Sequence, residues 1–500
     1  TVSLFANKGA LPCILGVFAL VCSSAFVPGA PAGAQNIEAN DEPLATALRN
    51  GTLLPEEVLR SSALTFPRIL EAFEREAARR SDQLAADGAF DLMLDAEYYD
   101  RYTGTFSGGY AEGKATQPIA PFGGEVFASY RLSDGEFPIY ENIFNTNEIG
   151  EFKVGALFSL LRNRRIDQRR FAVEDTRLAA SQARLDVLLV QLNVQFEALR
   201  AYWNWVAAGA EVRVYEDLLE IAQARAVGLS RQVQAGALPS LALVENEQNL
   251  IRRKSLLEGA KRTFTTAANS LSFYLRDERG QLFVPTRVQL PSTEQLAVLP
   301  DMQSLMAMDR SEVLDQRPEL RNFRIQLERA RNRVELKRND LKPSLDASVE
   351  LSRDFGPIGD GGPTFDSTDT VIGLTFSVPL QRRTARGAVQ RAEAELREIE
   401  LREQRTADQI SVELDNILVN LNAALQIADL AEQEVEQATA VVTGERKRFQ
   451  LGAGDLLSVN LQEERAADAQ VRAIRAQLTG RLAAASFSAA TMNLPELGLQ

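Results

Sequence analysis

Histidine is absent from all 500 residues, and cysteine occurs only twice, at Cys13 and Cys22. Both cysteines lie in the first apolar segment, so the rest of the chain has neither imidazole nor thiol. That excludes zinc sites built on His or Cys, Ser–His triads, cysteine nucleophiles and disulfides from it. What remains for enzymology is carboxylate, Lys, Ser or Tyr chemistry. No phosphate loop of the G-x-x-x-x-G-K-[ST] type is present, so the sequence offers no energy coupling of its own. A surplus of positive charge is missing too. The net charge is −13, which speaks against a general nucleic-acid binder. No enzyme, cofactor or metal site is expected.

Long apolar runs are also missing beyond the first thirty or so positions. The mean hydropathy is −0.16, so the chain is no bundle of membrane-spanning helices. The N-terminus reads as a secretory signal, residues 1–34. Lys8 is its only charge, Leu11 to Val27 is an apolar run, and Ala32-Gly33-Ala34 supplies an A-x-A cleavage site before Gln35. The alternative is a retained anchor. Ala19-Leu20-Val21 before Cys22 lacks the small residue expected ahead of a lipidated cysteine. An exported chain without a spanning helix is periplasmic, secreted or a β-barrel.

What is present is one plan, run twice. Each copy opens on a proline suited to the first turn of a helix, in Phe66-Pro67-Arg68 and in Arg317-Pro318-Glu319. Strands with one apolar and one polar face follow. In the second copy Leu345, Ala347, Val349 and Leu351 alternate with polar residues over 344–352, and Ile372, Leu374, Phe376 and Val378 do so over 371–380. The Gly-, Pro- and Asp-rich segment 353–369 between them reads as a loop. In the first copy Phe90 to Tyr99 alternates likewise, and Phe152 to Leu160 leads into a helix. VGALFSLLRNRR (154–165) aligns with IGLTFSVPLQRR (372–383). Between these strands the first copy carries roughly thirty more residues, which include a third candidate, Gly124 to Leu132, and a long loop over 104–123 read as an extracellular feature.

Proline-free helices follow, from Ile166 to near Ala235 and from Ala385 to near Leu451. Each would span on the order of 100 Å. Leu185, Leu188, Leu189, Leu192, Phe196 and Leu199 recur at helical spacing, so one face is buried. VQAGALPSLALVENEQNL (233–250) matches FQLGAGDLLSVNLQEERA (449–466), with Gly236 opposite Gly452. Both read as sharp turns into returning helices, about 240–275 and 455–492. The plan divides the chain into 1–34, an N-terminal segment 35–65, a first repeat 66–275 with strands within 89–161, a linker or equatorial region 276–316, a second repeat 317–493 and a tail 494–500.

Four strands of alternating polarity have open edges, which lipid does not tolerate. Closure by neighbouring copies solves this, and three protomers would give twelve strands. The chain resembles the TolC-like outer-membrane efflux protein family over about residues 40–492. The resemblance rests on RPEL (317–320), LKPSLDASVEL (341–351), VIGLTFSVPL (371–380), EALRAYWNWVAA (197–208) and the two Gly-centred tips, in order and twice over. It implies a mainly α protein with a transmembrane β-barrel: a homotrimer in the lipid bilayer of the outer membrane, with a helical periplasmic barrel. It also implies the role of passive exit duct for a tripartite efflux or type I secretion system, with a periplasmic adaptor and a proton-driven or ATP-driven inner-membrane pump as partners. The competing reading is a periplasmic coiled-coil adaptor without a barrel.

The resemblance implies that the adaptor docks at the tips, here Ala235, Gly236, Leu238, Pro239, Ser240, Leu451, Gly452, Gly454, Asp455 and Leu456; the plainer reading is that they only turn the chain. Where some family members carry two pore-constricting aspartates, this chain has Ser458 and Leu461. Asp455, Glu463, Glu464, Glu245 and Glu247 are the substitute carboxylates, unless they line a solvated face. Phe449 either constricts the mouth or packs in the seam. Tyr202, Trp203 and Trp205 are expected to pack in a seam with one ring partly exposed. Tyr98, Tyr99, Tyr102 and Phe376 are girdle candidates. Arg164-Arg165 and Arg382-Arg383 face headgroups or acidic neighbours. Glu463-Glu464 lacks any pocket signature for acid/base catalysis.

Overall fold

The computed structural model describes residues 51–138, 145–277, 280–292, 294–298, 310–358 and 367–499. The signal-peptide reading of 1–34, with Cys13 and Cys22, lies outside them, as do parts of 35–65, of the linker 276–316 and of the loop 353–369. Two short helices lead in, α1 (Pro55–Thr65) and α2 (Pro67–Asp87), each with proline in its first turn. Strands β1 (Met93–Asp100), β2 (Gly109–Ile119), β3 (Gly124–Asp134) and β4 (Gly150–Ser159) follow, then α3 (Gln168–Gln234) and α4 (Leu241–Ser272). Beyond the short α5 (Glu294–Ala297) and α6 (Arg310–Gln316), the plan recurs with α7 (Pro318–Asn339), β5 (Ser344–Phe355), β6 (Asp369–Ser377), α8 (Arg383–Gln450) and α9 (Leu456–Ala490).

The repeat is therefore real, but its first copy holds four strands where the second holds two. The segment 104–123 is not one loop. It contains β2, whose Gly-Tyr-Ala-Glu-Gly-Lys-Ala alternation was hidden by its two glycines and by Pro118, residues that ordinarily signal turns. All six strands form one antiparallel sheet in the order β1-β2-β3-β4-β5-β6. The expectation of four strands in the chain is corrected to six among the described residues.

The aligned glycines of the two copies do the same work. A methyl on Gly155 would lie 2.5 Å from the Phe127 ring, and one on Gly373 would lie 2.4 Å from Ser348 Oγ. A cross-strand side chain occupies the space beside each. Further constraints pin the first copy's additional hairpin. Phe122 and Gly123 turn the chain between β2 and β3 with φ of 64° and 57°. The Gly123 Cα approaches the base of α3 so closely that a Cβ would sit 2.2 Å from the Asn163 carbonyl oxygen. At the other end of the sheet, a Cβ on Gly135 would meet the Ser107 carbonyl oxygen at 2.1 Å.

The largest apolar cluster lies midway along the helices, where α1, α4 and the linker surround α3. Tyr202, Trp203 and Trp205 are all buried there, with Leu53, Leu271, Leu275, Leu290 and Leu296. No ring is left partly exposed, because the helix is covered on several sides at this level. The Tyr202 hydroxyl donates to the Leu53 carbonyl (3.0 Å), and burial pushes its pKa up. Arg481 of α9 lies 4.5 Å over the Trp203 ring; burial lowers its pKa. Buried Ser62 donates to Gln195 (2.7 Å), whose amide donates to the Leu59 carbonyl (3.0 Å), so α1 is fastened to α3 without an unpaired group. Arg329 of α7 makes a forked pair with Asp175 of α3 at 2.8 and 2.9 Å.

Candidate functional site

The register of the sheet sorts its side chains into two faces. Leu94, Ala111 and Ala115, Val126 and Ala128, Val154 and Ala156, Val349 and Leu351, and Ile372 and Leu374 all fall on one face. On that face charge appears only near the strand ends distant from the helices, at Asp100, Asp134 and Arg353. The larger apolar residues at its two edges are bare: Leu94 is 55% exposed, Ile372 73% and Leu374 70%. The opposite face carries Asp95, Glu112, Lys114, Arg131, Glu151 and Glu350 among a few apolar side chains such as Phe127. An exposed apolar array of this size marks a surface that another protein or a membrane covers, and hydrocarbon accepts it. Strands of 8 to 12 residues match the length that crosses a bilayer at a tilt. Among the described residues no helix is long and apolar enough to cross a membrane.

The girdle candidates separate. Tyr98 and Phe376 lie on the apolar face at opposite ends of the sheet, while Tyr99 turns to the polar face and stacks on Tyr110 with centroids 5.5 Å apart. Tyr102 follows β1 and is exposed. Arg164 and Arg165 lie exposed between β4 and α3, and the Arg164 carbonyl accepts from Arg170 (3.0 Å). Arg382, with φ 49°, precedes the first residue of α8, Arg383.

At the far end of the helices the two tips have one backbone design. Gly236 (φ 75°) donates to the Val233 carbonyl and Ala237 to that of Gln232, at 3.0 and 2.9 Å. Gly452 (φ 72°) donates to Phe449 and Ala453 to Arg448, again at 3.0 and 2.9 Å. Each is a left-handed C-terminal cap that only glycine adopts without cost. Ala235, Gly236, Pro239, Ser240, Leu451 and Gly452 are exposed, Leu238 and Gly454 half-buried, and Leu456 buried. Asp455 caps α9 by accepting the Ser458 N–H at 2.6 Å. That bond, followed by the Ser458 side chain and Arg448, holds its carboxyl below the usual range. Asp455 thus has a structural partner, as a cap. Phe449 and Ser458 are half-buried; Leu461, Glu245 and Glu247 are exposed.

Glu463 is the substitute carboxylate that the structure removes from any pore surface. It is 3% exposed and sits where all four long helices meet. Its oxygens accept from Arg225 of α3, from Arg253 of α4 at 3.0 Å and from Arg446 of α8 at 2.8 Å. Arg253 is itself fully buried, and also donates to the Leu218 carbonyl (2.7 Å) and to Asn249 (2.9 Å). Burial raises the Glu463 pKa, but the three guanidiniums outweigh it and hold it below the usual value. Burial lowers that of Arg253, with Glu463 opposing. Its neighbour Glu464 pairs with Arg252 at 3.0 Å. The role of Glu463 was legible in its spacing. Leu456, Val459, Asn460, Glu463 and Ala467 form one buried helical stripe, so Glu463 falls on the seam.

With one apolar face on its sheet and two long helical hairpins, the chain has a fold that recurs among solved outer-membrane channels. Residues 310–491 match the family model "Outer membrane efflux protein". No curated protein matches the chain. Solved structures do, over nearly the whole length. The outer-membrane protein VceC of Vibrio cholerae aligns at TM-score 0.60 and 15% identity, covering 87% of this chain and 95% of its own. The CmeC outer-membrane channel of Campylobacter jejuni gives 0.58 and 16%, covering 89% and 90%. The MtrE outer-membrane channel of Neisseria gonorrhoeae, in its open state, gives 0.57 and 14%, covering 90% and 94%. At such identities the likeness is one of fold. The family match likens the second repeat to outer-membrane efflux proteins.

Proposed function

We propose that the protein is a passive exit duct: copies of the chain close their sheets into a barrel in the outer membrane and their helices into a periplasmic tunnel. The observation that carries this reading is the apolar face running unbroken across six strands, which only lipid satisfies. The copy number is three, by the resemblance. A periplasmic adaptor docks at the tips, where Leu451 and Leu457 of the second and Leu241 and Val244 of the first are bare, and an inner-membrane pump supplies the energy. The alternative, a coiled-coil adaptor, has no use for the sheet's apolar face. The test is the detergent-corrected mass of protein extracted from washed outer membranes, followed by conductance in planar bilayers. A trimer that conducts supports the duct. A monomer in the soluble periplasm overturns it.

A further inference from the structure

The four-stranded half of the sheet ends in an edge. β1 pairs with β2 over all eight of its residues and, among the described residues, has no strand on its other side, and β6 likewise has only β5. Both edge strands carry the apolar face to the limit of the sheet, through Leu94, Ala96 and Tyr98 on one and Ile372, Leu374 and Phe376 on the other. In hydrocarbon their unpaired N–H and C=O groups have no water to bond, and each would cost several kcal/mol. Something of matching strand geometry must cover both edges. The alternation of six antiparallel strands makes β1 and β6 run in opposite directions. The β6 edge of one copy is therefore antiparallel to the β1 edge of the next, and the sheet can close on itself with no parallel pair.

We propose that β1 is the seam between protomers, pairing with β6 of the neighbouring copy, so that three copies close a barrel of eighteen strands. This deepens the duct reading and rests on it. The hairpin β1–β2 belongs to the wall because it is held at both ends: the β2–β3 turn by the approach of Gly123 to Asn163 and Asp167 at the base of α3, the β1–β2 turn by Gly135 against Ser107 and Gly108. It also continues both faces of the wall. Its polar side presents Asp95, Glu97, Glu112 and Lys114 in line with Arg131 and Glu151, and its other side has no charge before Asp100. At a strand spacing near 4.8 Å and a tilt near 40°, eighteen strands enclose a backbone cylinder about 36 Å across, against about 24 Å for twelve. The outer mouth then has roughly twice the cross-section of a barrel built from one strand pair per repeat.

Electron cryo-microscopy of the full-length protein in lipid nanodiscs reads the strand count directly. Eighteen strands with β6 against β1 is the expected result. A trimer with twelve wall strands and the β1–β2 hairpin outside the ring overturns the inference and leaves the duct standing; absence of any barrel overturns both. Disulfide cross-linking gives the same answer in the membrane. With Cys13 and Cys22 replaced by serine, A96C is paired in turn with T370C, I372C, L374C and F376C, all on the apolar face. At least one pair should give an inter-protomer dimer on oxidation. A ladder from A128C on β3 with the same partners, and none from A96C, would mean that β3 is the seam and overturn the proposal.

Discussion

The two halves of the chain agree where the backbone sets the geometry and part where side chains do. Both tips end their helices with the same glycine, the same pair of hydrogen bonds and φ values 3° apart. Yet the second returns through a carboxylate cap at Asp455, whereas Ser240 at the first makes no side-chain cap. The hairpin seams differ as well. Val212, Leu257 and Ala260 pack with Tyr215 and Phe264 in the first; Ala428, Ala431, Ala473 and Ala476 line the second. The sheets differ most, four strands against two. Conserved turns with unlike seams mean that length and direction are what the two halves share, while the packing along each hairpin was settled separately.

The largest effect should come from untying the halves. Glu463→Ala leaves Arg253 buried without its carboxylate, which should cost on the order of 3–5 kcal/mol. Urea unfolding in detergent would check it. Glu464→Ala, which frees only the exposed Arg252, should cost less than about 1 kcal/mol. Equal effects would mean that Glu463 is not the tie. Next, Gly123→Ala should lift the β2–β3 turn off α3 at a cost of about 1–3 kcal/mol. Protease cleavage near residues 120–123 would report it; the second repeat has no counterpart to break.

Replacing either tip glycine should cost about 1 kcal/mol, and by nearly the same amount, because a Cβ at Gly236 or Gly452 meets nothing within 4 Å and only the left-handed backbone is penalised. A clear inequality between G236A and G452A, measured by amide exchange at residues 236–237 and 452–453, would show that the tips are not equivalent. The smallest effect belongs to the caps. Asp455→Ala should speed exchange at Ser458 and leave α4 untouched, while Ser240→Ala changes neither helix. The Asp455 carboxyl is held below its ordinary range in the folded state, so its contribution is complete above that range and is lost as pH falls through the lowered value. Fraying of α9 alone on acidification would sharpen the contrast between the tips.

Much of this was legible in the amino-acid order. The long helices were found within a few residues because 67 and 68 residues without proline leave no competing reading, and the Gly236–Gly452 match located both turns. The apolar alternation of β5 and β6 gave their shared face. β2 was missed because Gly109, Gly113 and Pro118 imitate a loop, and its small apolar residues, Ala111 and Ala115, carry little hydrophobic signal. Glu463 is hard to place from its charge, which suggests a wet face, but its phase decides: a carboxylate four residues after Val459 lies on the buried stripe whatever its polarity.

Both ends of the six-stranded sheet hand the chain to helices on the same side, since α2 enters β1 and β6 leads into α8. An odd number of inserted strands would put α3 or α8 at the opposite end of the sheet. The wall can therefore change only in whole hairpins, and in a symmetric ring one inserted hairpin is copied into every subunit. On the proposed closure, a single tandem event in one gene then rescales the ring in a step, with no change to the helix tips. The sheet end and the tip end are free to evolve on separate clocks.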